Sequence, residues 1–279
     1  MRSIKPERHL AVFGSESKMS PLLTVVVATR NRARYLQDAL TSILSQGIDL
    51  AIIVVRTQGD TEVPSVPAVA DPRVSVLDCR HSSRASDGWA MGLESSSSPW
   101  SMTFDDDDLM FPGSLRRLLD LAVDHDLDLA SGLHMDVGED AAWVNIEAIY
   151  EGVRAYDEIP EATVPRVTLY TWVDVAGGHF PSLGKSVWRT ELNSQVIGAN
   201  QPPPGDSFFS TKLFAASRRA GFCRVVFRAH RVHPDSATST IVGDELRDRA
   251  TQYLRWASAT FPEYATARNL AFSDRLGGV

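Results

Sequence analysis

Apolar positions alternate between two rhythms through the first half of this chain. Leu22 to Ala28, Leu-Leu-Thr-Val-Val-Val-Ala, is a short, β-branched and nearly continuous apolar block, which predicts a strand buried on both faces of a parallel sheet. Across Ala33 to Gln46, Tyr35, Leu36, Ala39, Leu40, Ile43 and Leu44 repeat at helical spacing, and Gly47 supplies the stop. Leu50 to Val55 predicts a second buried strand, so the three elements form a βαβ unit. After the prolines at 64, 67 and 72, Arg73 to Leu77 reads as a third strand. A helix then opens near Arg84 and Asp87, runs to Leu93 and is broken by the serines at 95 to 98 and by Pro99. Trp100 to Phe104 is the next strand. Leu115, Leu118, Leu119, Ala122 and Val123 follow it as an amphipathic helix after Pro112 and Gly113.

Open α/β sheets bind ligands beyond the carboxyl ends of their strands, which sets Thr29, Arg30, Asn31 and Arg32 on the functional edge together with Arg56 to Asp60. Past about residue 130 the rhythm breaks into short strands and loops bearing Gly177-Gly178 and Pro202 to Pro204. Helical spacing resumes between Asp244 and Phe261. No internal repeat is evident.

The composition narrows the function classes. With 279 residues, 43% of them hydrophobic and 23% charged, the chain is an ordinary globular one. A net charge of −7 argues against a protein that coats nucleic acid. The two cysteines, Cys79 and Cys223, are far apart and suggest neither a disulfide framework nor a zinc site. No window has the length and apolarity of a membrane span, and residues 1–20 read as a basic leader without a signal-like apolar run, so a cytoplasmic protein is expected.

Against this background Ser-Met-Thr-Phe-Asp-Asp-Asp-Asp-Leu-Met-Phe-Pro, residues 101 to 112, stands out. Four adjacent carboxylates between apolar flanks repel one another, and burial raises the cost, so the run must face water or meet a cation. Its place at the end of the fourth strand favours the cation over a solvated acidic turn.

Two segments together resemble family 2 glycosyltransferases of the GT-A fold: residues 23 to 46, which include Ala-Thr-Arg-Asn-Arg, and Phe104-Asp-Asp-Asp-Asp-Leu109, which looks like their DxD element. The likeness spans residues 22 to 130 and returns at Arg231-Val-His-Pro-Asp-Ser236. It implies a Rossmann-like mixed sheet flanked by helices, with an irregular acceptor-binding half and a C-terminal helix. The expected organisation is a leader (1–20), a nucleotide-sugar half (21–130), an acceptor and catalytic half (131–240) and a helical segment (241–279).

The resemblance also implies an inverting, metal-dependent transfer of sugar from a nucleotide-diphosphate donor to a hydroxyl-bearing acceptor, with Mn²⁺ or Mg²⁺. Asp107 is the expected direct ligand, with Asp105 at the ribose or on the metal, His233 completing the shell or touching the diphosphate, and Asp206 as the general base. Asp106 is grouped with the donor residues; capping of the following helix is the alternative for it and for Asp108. Arg84 and Asp87 fall where relatives touch the diphosphate or sugar. Trp172, His179 and Lys185 are the acceptor-side candidates, and a homodimer is left open.

The chain departs from the family pattern in the base pocket. Relatives commonly carry Tyr where Arg30 stands and an acidic turn where Arg56-Thr-Gln-Gly-Asp60 stands, so the acid for a uracil-like edge is missing or displaced to Asp60. Asp206 likewise lacks the usual acidic neighbour, which is Gly205 here. Two rivals follow: a nucleotidyltransferase, disfavoured because Thr29-Arg-Asn-Arg-Ala33 has no phosphate-loop glycine, and a non-catalytic sugar-nucleotide-binding module.

Overall fold

A computed structural model describes residues 20–142, 146, 149–150, 156, 158–178, 181, 183–197, 205–234, 236 and 244–276. Four parallel strands form its first half: β1 (Leu23–Thr29), β2 (Leu50–Thr57), β3 (Val74–Cys79) and β4 (Trp100–Asp105). Helix α1 (Ala33–Leu44) joins β1 to β2, α2 (Ala85–Glu94) joins β3 to β4, and α3 (Ser114–Asp124) follows β4 and the two-residue β5 (Leu109–Met110). All seven residues of β1 are buried, as its unbroken apolar pattern predicts for a central strand. Helix α2 lies so close to β1 that a Cβ on Gly88 would stand 2.9 Å from the Ala28 Cβ.

The strands run in the order β3-β2-β1-β4-β8-β6-β9-β5, using β6 (Leu129–Val137), β8 (Ser186–Arg189) and β9 (Ala220–Arg231); β7 (Val167–Leu169) pairs with β9. From β4 onward the sheet is mixed: β8 is antiparallel to β4 and β6, whereas β6 and β9 run parallel. Chain direction from β1 goes outward to β2 on one side and to β4 on the other. That reversal leaves a crevice at the carboxyl ends of β1 and β4, where Ala28 is in register with Asp105.

Short helices α4 (Trp172–Ala176) and α5 (Asn193–Val196) precede α6 (Gly205–Ala216), α7 (Asp244–Thr260) and α8 (Pro262–Leu276). The expected C-terminal helix is therefore two helices broken at Pro262, whose missing amide suits the first helical position. Trp172 packs edge-on against Phe214 at 4.8 Å and beside Phe261 at 5.4 Å, so the aromatic proposed for the acceptor is instead part of the seam fastening α4 to the C-terminal helices. Trp89, 5% exposed, is likewise core. His179 and the Pro202 to Pro204 loop lie outside the described residues, as does the leader apart from Ser20.

Candidate active site

The acidic turn is built by tension between β4 and β9. Leaving β4 at Asp105, the chain must return at Leu109, because Leu109 and Met110 pair with Ala229 and Arg228 of β9. The four carboxylates are pinned in the intervening bend. Asp108 points inward, fully buried, where its Oδ1 accepts the Arg231 backbone N–H at 2.9 Å and its Oδ2 is ion-paired to Arg228. The second Arg228 Nη atom holds Asp105 at 2.8 Å.

On the other side of the crevice, Arg32 Nη1 donates to Asp106 Oδ1 at 3.0 Å and to Asp107 Oδ2 at 2.6 Å. Sequence reasoning assigned the compensating charge to a metal. Two arginines supply much of it, one from the loop after β1 and one from β9, and the second was not foreseen. A signal existed: Arg224, Arg228 and Arg231 interrupt an otherwise apolar strand, and buried cations require buried anions.

The carboxylates differ electrostatically. Burial, with Asp107 as neighbour and Arg32 in opposition, raises the Asp106 pKa to about 6. Burial also raises Asp108 well above the usual carboxylate range, against the pull of Arg228. Both arginines are held above their ordinary pKa by the acids, burial notwithstanding.

His233, 2% exposed, brings Nε2 to 3.1 Å from Asp107 Oδ2. Its ring lies against Tyr35, tilted by 38° with centroids 4.8 Å apart, and Arg231 covers the same tyrosine at 4.8 Å. Asp107 and His233 thus converge as expected, whereas Asp105 is turned to Arg228. Among the described residues no group of three or more His, Cys, Asp or Glu is arranged as a ligand set. A carboxylate and an imidazole remain, a donor pair suited to a divalent ion that draws its other ligands from phosphates and water.

The loop after β1 is braced from the segment that follows β2. Asn31 adopts a left-handed φ of 53°, its N–H donates to Asp60 Oδ2 at 2.7 Å, and the first helical amide, Ala33 N–H, donates to Glu62 Oε2 at 3.0 Å. Asp60 Oδ1 also accepts the amides of Glu62 and Val63, so this acid, considered above for the base edge, is engaged with the backbone instead. Arg56 donates to Asp78 at 2.6 Å, and Arg84 grips Asp87 through two bonds of 2.9 and 3.0 Å, so these cations are already paired. Thr29 is buried at the strand end, where its carbonyl accepts from Thr57, and Arg30 is exposed. A cavity of about 260 Å³ lies among Thr29, Arg30, Arg32, Ser83, Ala85 and Asp106, and a second of about 260 Å³ lies over Arg56, Gly59 and Asp78.

Across Arg228 stands Asp206, in the first turn of α6. Its side chain is exposed, yet enough protein surrounds the carboxyl that desolvation, reinforced by Asp105, raises its pKa to about 6 while Arg228 opposes the rise. Surface area registers the open edge, and the packed surroundings govern the proton. A carboxylate with this pKa is a competent base near neutral pH. Lys185, in the Leu183–Lys185 turn, donates to His134 Nδ1 at 3.2 Å.

A Rossmann-like half ending in an acidic turn, completed by a mixed sheet, defines a glycosyltransferase architecture of the GT-A type. The chain belongs to glycosyl transferase family 2, whose family model matches residues 24–189. It is 26% identical over 156 residues to the succinoglycan biosynthesis protein ExoO of Rhizobium meliloti (strain 1021), a match covering 55% of this chain and 42% of that protein, so the chain spans less than half the length of that relative. The fold is shared with S. aureus TarS 1–349: its complex with UDP-GlcNAc superposes with a TM-score of 0.66 at 13% identity, over 89% of this chain and 70% of that one. The TarS 1–349 complex with UDP gives 0.63 at 13% identity, over 89% and 69%. No helix among the described residues is long and apolar enough to cross a membrane.

Proposed function

We propose that this chain transfers a sugar, with inversion, from a uridine-diphosphate donor to a hydroxyl acceptor. The observation that carries the proposal is the joint position of the Asp105 to Asp108 turn and Asp206 around Arg228, which brings an acidic donor edge and a carboxylate of pKa about 6 to one crevice. The TarS complexes with UDP-GlcNAc and UDP support the uridine class.

In this reading the diphosphate lies between the β1 loop and the acidic turn, with Arg32 as its cationic partner. A divalent ion would be held by Asp107 and His233, and the mixed oxygen and nitrogen pair favours Mn²⁺ over Mg²⁺. When bound, the ion would supply charge neutralisation for the departing diphosphate. Asp206 takes the proton of the acceptor hydroxyl as that oxygen attacks the anomeric carbon from the face opposite the leaving group, which is the stereochemical origin of inversion.

Calorimetry with UDP, dTDP, GDP, CDP and ADP, each with Mn²⁺ and again with chelator, tests the donor side. Metal-dependent binding of UDP alone, weakened in Asp107→Asn, is expected; absence of any nucleotide binding would defeat the reading. On the chemical side, Asp206→Asn should lose about 10²- to 10⁴-fold in transfer while nucleotide affinity holds. Near-normal turnover in that variant would remove Asp206 as the base.

A further inference from the structure

Beside the acidic turn, and sharing Asp105 and Arg228 with it, a second cluster of ionisable groups closes the crevice. His134 and Asp136 come from β6, Arg228 and His230 from β9, Lys185 from the Leu183–Lys185 turn, Asp105 from the end of β4 and Asp206 from α6. That turn is in contact with β4, β6, β9 and α6 alike, so Lys185 sits where the base-bearing helix meets the acid-bearing strand. The approach is tight: a Cβ on Gly184 would lie 2.8 Å from Asp105 Oδ2 and would also collide with the Arg228 guanidinium.

Among the described residues, not every cation of this corner has a carboxylate beside it. Arg228 is matched by Asp105 and Asp108, and His230 Nδ1 by Asp136 Oδ1 at 2.9 Å. Lys185 has an imidazole as its partner, His134 Nδ1 at 3.2 Å, and makes no ion pair with a carboxylate among the described residues. A neutral His134 accepting there carries its own proton on Nε2, which stands 3.9 Å from Asp136, beyond hydrogen-bonding distance. His134 and His230 meet edge to face at 5.9 Å, both with solvent-accessible surface. Burial and the Arg228 charge lower the Lys185 pKa; burial, Lys185 and Arg228 lower that of His134. Lys185 and His134 are thus both made less stable as cations by their positive neighbours, and an anion placed against the two would relieve that repulsion.

We infer that Lys185, His134 and His230 form an anion subsite on the acceptor side of the crevice, which selects acceptors carrying a phosphate or carboxylate group near the reacting hydroxyl. An anion there would receive the ammonium and the imidazole N–H as charge-assisted donors, and Asp206 would remain free for the hydroxyl. The assignment to the acceptor rests on Asp206 marking the acceptor side; the existence of the subsite does not.

The test is an NMR titration of imidazole-labelled full-length protein with inorganic phosphate and, separately, with acetate, followed by UDP calorimetry with Mn²⁺ on the same variants. Phosphate should shift the His134 and His230 resonances and move the His134 titration to higher pH. Lys185→Met should weaken phosphate by at least about tenfold while UDP affinity stays within a factor of about two. Stronger shifts with phosphate than with acetate name a phosphate-bearing acceptor, and the reverse order a carboxylate. Unmoved His134 and His230 resonances under both anions would overturn the subsite. Loss of UDP affinity in Lys185→Met comparable to the loss of phosphate would assign the cluster to the donor diphosphate and overturn the acceptor inference. Phosphate shifts persisting in a protein that binds no UDP would sink the proposed donor and leave the subsite standing.

Discussion

Arg32 and Asp107 are joined at 2.6 Å through Asp107 Oδ2, the same oxygen that His233 Nε2 approaches at 3.1 Å. A cation drawn to Asp107 and His233 must therefore compete with a guanidinium already in place. Arg32→Met should tighten Mn²⁺ binding in the absence of nucleotide by roughly tenfold, the equivalent of one partly buried ion pair, and weaken UDP by a similar factor. Calorimetry of each ligand alone checks both signs. Weaker Mn²⁺ binding in the variant would mean that Arg32 supports the ion rather than displacing it.

Arg228 serves a fully buried carboxylate, and removing it strands that charge. Arg228→Met should cost about 3–5 kcal/mol of stability. Adding Asp108→Asn should recover much of the loss, because the uncompensated anion disappears. Urea denaturation of the two variants measures this, and equal stability of single and double variants would place the role of Arg228 elsewhere.

The raised carboxyls link activity to stability in opposite directions. Asp106 titrates near 6 in the folded chain against 3.8 ordinarily, so between those values the folded state binds more protons than the unfolded one. Stability then falls as pH rises through that window, by up to about 3 kcal/mol from this one group. Asp106→Asn should flatten the slope, as denaturation at pH 4, 5, 6 and 7 would reveal. Over the same range kcat/KM should climb with an apparent pKa near 6 as Asp206 loses its proton. A rate profile without that limb would contradict the base assignment.

Tyr35 is wedged between the Arg231 guanidinium and the His233 ring, 4.8 Å from each. Tyr35→Phe keeps both stacked faces and should leave Mn²⁺-dependent UDP binding within about twofold. Tyr35→Ala should weaken it by about tenfold, since His233 loses the ring that fixes its orientation. Equal effects of the two substitutions would shift the importance to the hydroxyl, which donates to Glu139 at 3.1 Å.

What the sequence displayed well was local. The β-branched run at Leu23 to Thr29 and the helical spacing after Ala33 carry their structure in neighbouring residues, so their bounds fall within a residue or two of expectation. The Asp105 to Asp108 run announced its need for positive charge for the same reason. The second compensating group was hidden because Arg228 lies on β9, far along the chain from Asp108, and is brought near by strand pairing alone. Trp172 misled for a related reason: an aromatic in a glycine-bearing loop suits a sugar face as well as a helix seam, and the choice depends on Phe214, Phe261 and Tyr264 arriving from later parts of the chain. Arg56, Arg84 and Asp60 read as free recognition groups until Asp78, Asp87 and the Asn31 amide were found beside them.

The β5–β9 pairing has a consequence for what counts as a working unit here. The stretch recognisable by family ends at residue 189, with the acidic turn well inside it, yet the partner strand of β5 and the counter-charge of Asp108 are both encoded beyond that point. A ribosome that has delivered residues 1–189 has made the Asp105 to Asp108 turn and its Arg32 partner, but not Arg228, His233 or the strand that pairs with β5. The turn can acquire its final form only after β9 has been synthesised and threaded beside β6. Gene fusions or chimeras that exchange the second half of this chain would consequently reshape the acidic turn without altering any of its four aspartates.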